Sequence, residues 1–130
     1  MERISFLSLT MLFLVSTMVY ASQKDGVKIA VASNNKNATS NVGTIAGRSP
    51  YYLIFDNTGK LVEVIENPFK DVRGGAGPST ANFLAEKGVT IVIAETFGDK
   101  MVNAMENKGM NHFQFKGTVK DVVKKVLNPN

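Results

Sequence analysis

Apolar residues recur along this chain in three spacings, and each spacing predicts its own kind of element. VKIAVAS, from Val27 to Ser33, is a short β-branched and apolar run that ends in the polar stretch NNKNATSNVGTIAGRSP, which predicts a buried first strand and a long loop. YYLIFD (Tyr51 to Asp56) and KLVEVIEN (Lys60 to Asn67) flank the turn residues NTG and predict a β-hairpin. VTIVIA, from Val89 to Ala94, is apolar almost throughout, as a central strand covered on both faces must be. MNHFQF adds a short strand in which Met110, His112 and Gln114 alternate with Asn111, Phe113 and Phe115.

Helical spacing fills the gaps between these strands. Pro78-Ser79-Thr80 offers a hydroxyl N-cap, Phe83 and Leu84 an apolar side, and Gly88 a stop. Phe97, Met101, Val102 and Met105 recur at helical spacing up to Gly109, and the methionines read as core filler. Val119, Val122, Val123, Val126 and Leu127 make one apolar stripe with charges opposite, while Thr118 and Asp121 stand at capping-box spacing with Asp in place of Glu. The order strand, hairpin, helix, strand, helix, strand, helix predicts an α/β domain with a mixed sheet of about five strands and three flanking helices.

The first segment departs from this pattern. MERISFLSLTMLFLVSTMVYASQ places one arginine before an uncharged apolar run from Ile4 to Tyr20, the form of an export signal. Val19-Tyr20-Ala21 supplies a small-x-small triplet, so cleavage after Ala21 is expected. Residues 1–21 are then a signal peptide, residues 22–130 a single domain, and the mature chain is periplasmic or extracellular. An uncleaved membrane anchor is the alternative, because the apolar run is at the short edge of what spans a bilayer.

Charge and composition narrow the partners. The formal net charge is +4, and losing the leader leaves it unchanged because Glu2 and Arg3 depart together. That is mildly basic; without a recognisable nucleic-acid motif or interleaved exposed aromatics, no nucleic-acid partner is expected. The chain has no cysteine, which excludes disulfides, zinc fingers and thiolate-ligated iron–sulfur clusters built from this chain alone.

Candidate chemistry centres on RGGAGPST, residues 73–80. Glycines before a helix N-terminus leave amide N–H groups free to meet an anion, and the helix dipole adds partial positive charge. The stretch is neither GxGxxG nor GxxxxGK[ST], so nucleotide-loop spacing is absent. A crossover loop in which Pro78 starts the helix is the alternative. Arg48, at the end of the long loop, and Arg73, beside the glycines, could each add a bidentate cation. His112 is the only histidine, so it makes no metal site by itself. Asp56 and Glu95 are the remote candidates for a magnesium-dependent hydrolase. No serine sits in a GxSxG elbow.

The succession VKIAVAS, GRSPYYLIFDNTGKLVEVIENPF, GGAGPSTANFLAEKGVTIVIAETFGDKMVNAMENKGM and FKGTVKDVVKKVL resembles the dinitrogenase iron–molybdenum cofactor biosynthesis domain from Val27 to Leu127. That is the small domain of NifX and NafY proteins, also found at the C-terminus of many NifB proteins. The resemblance implies a ribonuclease H-like α/β fold and non-catalytic carriage of anionic iron–molybdenum or iron–sulfur cofactor precursors. Many members carry a serine and then HFGRAP in the first loop. Here the matching stretches are Ser40-Asn41-Val42-Gly43 and Gly47-Arg48-Ser49-Pro50, with no histidine between them. The expected cofactor-binding set is therefore Arg48, Arg73, Gly74, Gly75, Ala76, Gly77, Ser79 and His112. Its expected ligand is an anionic metal cofactor or a small oxyanion; a protein-interaction module that has lost cofactor binding is the alternative.

Overall fold

A computed structural model describes residues 26–129. The expected leader lies outside the described residues. Strand β1 (Lys28–Ser33) is followed by a long loop that contains one 3-10 turn (Ala46–Arg48), then by β2 (Tyr51–Asp56) and β3 (Leu61–Glu66). Helix α1 (Ala76–Glu86), β4 (Ile91–Ala94), α2 (Asp99–Asn107), β5 (Asn111–Gln114) and α3 (Val119–Leu127) complete the chain.

The strands form one sheet in the order β3-β2-β1-β4-β5. The expected hairpin is there: β2 runs antiparallel to both β1 and β3, with Leu53 opposite Val64 and Tyr52 opposite Ile65. β4 lies parallel to β1 and to β5, so the apolar run VTIVIA is a central strand as its composition requires. A mixed five-stranded sheet with three helices is the α/β architecture that the sequence pattern predicts.

Side-chain alternation splits the core into two layers. Ala30, Ala32, Tyr52, Ile54 and Val92 face α1 and α2 and pack with Leu84, Met101 and Met105. Ile29, Val31, Leu53, Phe55 and Ile93 face the other way and pack with Val119, Val122 and Val123 of α3. The methionines of α2 are fully buried, the core role that their spacing predicts.

Two helix starts differ from expectation. α1 begins at Ala76, with Gly75 as N-cap at φ 73°, not at a hydroxyl residue. Ser79 lies inside the first turn, where its N–H donates to the Gly75 carbonyl at 3.0 Å. Pro78 fits that turn because it lacks an N–H which would have had no partner there. Thr118 is indeed the N-cap of α3, but the capping box does not form: its hydroxyl is buried without a partner among the described residues. Asp121 is one methylene shorter than the glutamate that normally reaches back.

Candidate functional site

At the carboxyl ends of parallel β1 and β4 the chain forms a cleft of about 290 Å³. Open α/β sheets place ligand crevices at this edge. One wall is the 3-10 turn with Gly47 and Arg48; the second is the start of α1, Gly75 to Pro78; the third is the start of α2, Gly98 to Met101. Two helix N-termini therefore open into one space. The N–H groups of Ala76, Gly77, Asp99, Lys100 and Met101 have no hydrogen-bond acceptor among the described residues. Each helix end also contributes roughly half a positive charge. Arg48 and Lys100 add full cations and Asp99 one anion, so the lining favours an anionic guest.

The glycines of residues 73–80 have separate reasons. Gly75 takes a left-handed φ that an L side chain adopts only with strain, and it lets the loop turn directly into α1. Gly77 is a packing glycine: a Cβ there would stand 2.9 Å from the Met101 Cβ, and a Cβ on Gly47 would stand 2.8 Å from the Gly77 backbone. Gly47 and Gly77 thus let the 3-10 turn, α1 and α2 approach one another. Gly74 is exposed, with open space where a Cβ would be.

A buried network fixes the first wall. Asn67, 1% exposed, donates from Nδ2 to the carbonyls of Gly47 (3.1 Å) and Ser49 (3.0 Å). Its Oδ1 accepts from the Phe69 N–H at 3.0 Å and from the Thr80 hydroxyl at 3.3 Å. β3 is thereby tied to the 3-10 turn and to α1 at once. Tyr52 donates its hydroxyl to the Ala46 carbonyl, and complete burial pushes its phenol pKa far above the ordinary tyrosine value. Arg48 donates through Nη1 to the carbonyls of Lys70, at 3.1 Å, and Val72. A guanidinium has five N–H donors, so this clamp leaves capacity for an anion.

Of the expected site residues, Arg48, Gly75, Ala76 and Gly77 line the cleft together. Arg73, Gly74, Ser79 and His112 do not. His112 sits within the edge strand β5, opposite Val92, and its ring meets Phe97 edge-to-face with centroids 5.2 Å apart. Phe97 directly precedes Gly98, so the His112 ring packs beside the third wall without lining the cleft. Asp56 and Glu95 stand at opposite ends of the sheet, since Asp56 pairs with the first residue of β1 while Glu95 follows the last of β4. They cannot share a metal. Sequence reasoning missed Lys100 and Asn67 and read Asp99 and Thr80 only as helix-start residues; for Asn67 the one cue was the ENPF run that ends β3.

Residues 27–128 match the family model described as dinitrogenase iron-molybdenum cofactor. Among solved structures, the chain is similar to the apo form of the orange protein from Desulfovibrio gigas: 25% identity and TM-score 0.75 over 78% of this chain and 88% of that one. It is similar also to a candidate NifB protein from Thermotoga, at 30% identity and TM-score 0.67 over 77% and 86% of the two chains. A candidate dinitrogenase from Methanocaldococcus jannaschii, 13% identical with TM-score 0.57 over 78% and 88%, shares the fold. A comparison with curated proteins gives no match. With nearly all of its described residues matched, the chain belongs to the dinitrogenase iron–molybdenum cofactor family.

Proposed function

We propose that this chain is a non-catalytic carrier of a preassembled anionic metal cofactor, of iron–molybdenum or iron–sulfur type, or of a small oxyanion. The carrying observation is the convergence of the α1 and α2 N-termini, with Arg48 and Lys100, on one cleft. The donor set limits how the cargo is held. The lining contains neither histidine nor cysteine, and no group of three or more His, Asp or Glu that could hold a metal ion occurs among the described residues. Hydrogen bonds from amide N–H groups and two cations to the sulfide or oxo surface of a cluster suit that lining; bonds from protein to metal do not. With the leader read as an export signal, carriage takes place outside the cytoplasm.

The test is uptake. The chain, equilibrated anaerobically with tetrathiomolybdate, with molybdate, or with an iron–sulfur cluster, is desalted and its metals per polypeptide are measured by elemental mass spectrometry. The reading expects saturable binding of one of these probes, weakening as salt rises, and about a tenfold loss in Lys100→Glu, which inverts a charge at the cleft. Uptake that is unchanged in that variant removes the cleft from the assignment.

A further inference from the structure

The two faces of the sheet are unequally covered. Five strands spaced about 4.8 Å apart span roughly twice the width of one helix, about 10 Å. α1 and α2 together cover one face; α3 alone covers the other, lying over β1. Beside α3 the outer face of β2 and β3 is left bare. Val62 and Val64, on that face, are 50% and 41% exposed, and Tyr51 is half-buried there. One end deepens into a hollow of about 300 Å³ between the β2–β3 turn and α3, floored by Phe55 and Leu61 and walled by Leu127.

The charge around this trench has one dominant sign. Lys120 and Lys124, one turn apart on α3, line the hollow, and Lys36 stands 5.7 Å from the Tyr51 ring centroid. The neighbouring acids are engaged. Glu66 pairs with Lys70 at 4.0 Å, Glu63 pairs with Lys87 at 3.6 Å on the opposite face, and the Asp56 carboxylate accepts the turn's own donors.

From this geometry we infer that the trench is a docking site for an acidic amphipathic helix of a partner protein, seated antiparallel or parallel to α3 as the missing fourth helix. A six-residue strand spans about 20 Å, which three to four helical turns would follow. Apolar positions at i, i+3, i+4 and i+7 would cover Val62, Val64 and the hollow, while acidic residues on one flank would meet Lys120 and Lys124. A second copy of this chain is disfavoured because a two-fold contact would set the same lysines against each other. A flat anionic bilayer fits less well, since the apolar floor lies below the ridge of α3. The inference is independent of the proposed cargo, whose cleft lies on the α1–α2 side of the sheet.

The probe is an amphipathic peptide of about 18 residues, with leucine on one face and glutamate on its flanks, compared with the same peptide carrying lysine in place of glutamate. Amide chemical shifts of the isotope-labelled chain read the binding. The glutamate peptide should shift Tyr51, Val62, Val64 and Leu127 and leave Gly75 to Gly77 unmoved. Binding should fall by about tenfold in Val64→Asp, an exposed site where folding is not at risk. The double variant Lys120→Glu, Lys124→Glu should reverse the preference to the lysine peptide. Equal binding of both peptides, no binding, or shifts confined to the cleft overturns the inference. So does self-association of the free chain through the same residues, or binding to phosphatidylglycerol vesicles without any peptide preference.

Discussion

The sheet has two ends built on different principles. Where β1 and β4 stop, main chains from three elements crowd together: Gly47 touches Gly77, Gly77 touches Met101, and Asn67, Tyr52 and Thr80 hydrogen-bond to carbonyls of the 3-10 turn or to one another out of water. At the other end β2 turns into β3 through a solvent-exposed loop whose order comes from one carboxylate, that of Asp56. The crowded end leaves helix N-termini facing a cleft, and the open end leaves the hollow beside α3. Tightness at one end is thus what holds amide donors in place without side chains of their own, and mutations should hurt far more there.

The largest effect should come from Gly47→Val. A Cβ at Gly47 meets backbone, which cannot swing away as a side-chain tip can, so the turn and α1 must separate. Overpacking of this kind typically costs 1–3 kcal/mol, and a backbone contact places it near about 3 kcal/mol. Gly98→Ala, at the same cleft but with open space around its Cβ, is the control and should stay within about 0.5 kcal/mol. Urea unfolding at constant m decides. If both variants are equally mild, the close approach of turn and helix is not a constraint.

Asn67→Ala should come next. It strands the Ser49 carbonyl and the Phe69 N–H, and it leaves the Gly47 carbonyl only the Thr80 hydroxyl, at 3.4 Å. Leaving buried groups unpaired costs about 1–3 kcal/mol each where no water enters, and partial relaxation brings the expected total to about 2–3 kcal/mol. Because the network positions Arg48 and Gly47, cargo uptake should fall even in conditions where the variant is fully folded. Normal uptake by a destabilised Asn67→Ala protein would confine Asn67 to a structural role.

These two positions also mark where the sequence stops being informative. Hairpin, central strand and helices were legible because their signals are local: alternation in YYLIFD and KLVEVIEN, an unbroken apolar VTIVIA, and the stripe from Val119 to Leu127. Gly47 against Gly77 spans thirty positions, and nothing in AGRSP states that its glycine will meet another glycine. Asn67 reads as a turn residue before proline; that its amide reaches back to Gly47 depends on the hairpin placing β3 beside the loop. His112 shows the same limit, since a lone histidine draws chemical interest while strand register decides that its ring meets Phe97. A glycine run before a helix is by contrast a local cue to position, and Gly75, Ala76 and Gly77 do line the cleft.

Tyr52 should matter less, and in a pH-dependent way. Burial raises its pKa above the unfolded value of about 10, so the native state keeps the phenol neutral while the unfolded chain ionises. This contribution is constant below that pH and is lost as pH rises beyond it. Tyr52→Phe should cost about 1 kcal/mol at neutral pH for the lost bond to Ala46, yet make stability fall less steeply above pH 10. Thermal midpoints measured from about pH 7 to 11 would show the two curves converging; parallel curves would mean that other groups govern alkaline unfolding.

The smallest effect belongs to the open end. Hydrogen bonds from the Thr58 hydroxyl at 2.6 Å, and then from the Lys60 N–H at 3.1 Å, hold the Asp56 carboxyl below its usual range. A depressed carboxylate pKa stabilises the fold above the unfolded value of about 4 and loses that contribution as pH falls through the folded value. Asp56 is only half-buried, at the exposed turn, so solvent screens much of the interaction. Asp56→Asn should therefore leave neutral-pH stability almost unchanged and flatten only the acid limb, with the cleft's amide chemical shifts unmoved. A loss of cargo uptake in this variant would show that the turn end and the cleft end are coupled through the sheet, and would break the division between them.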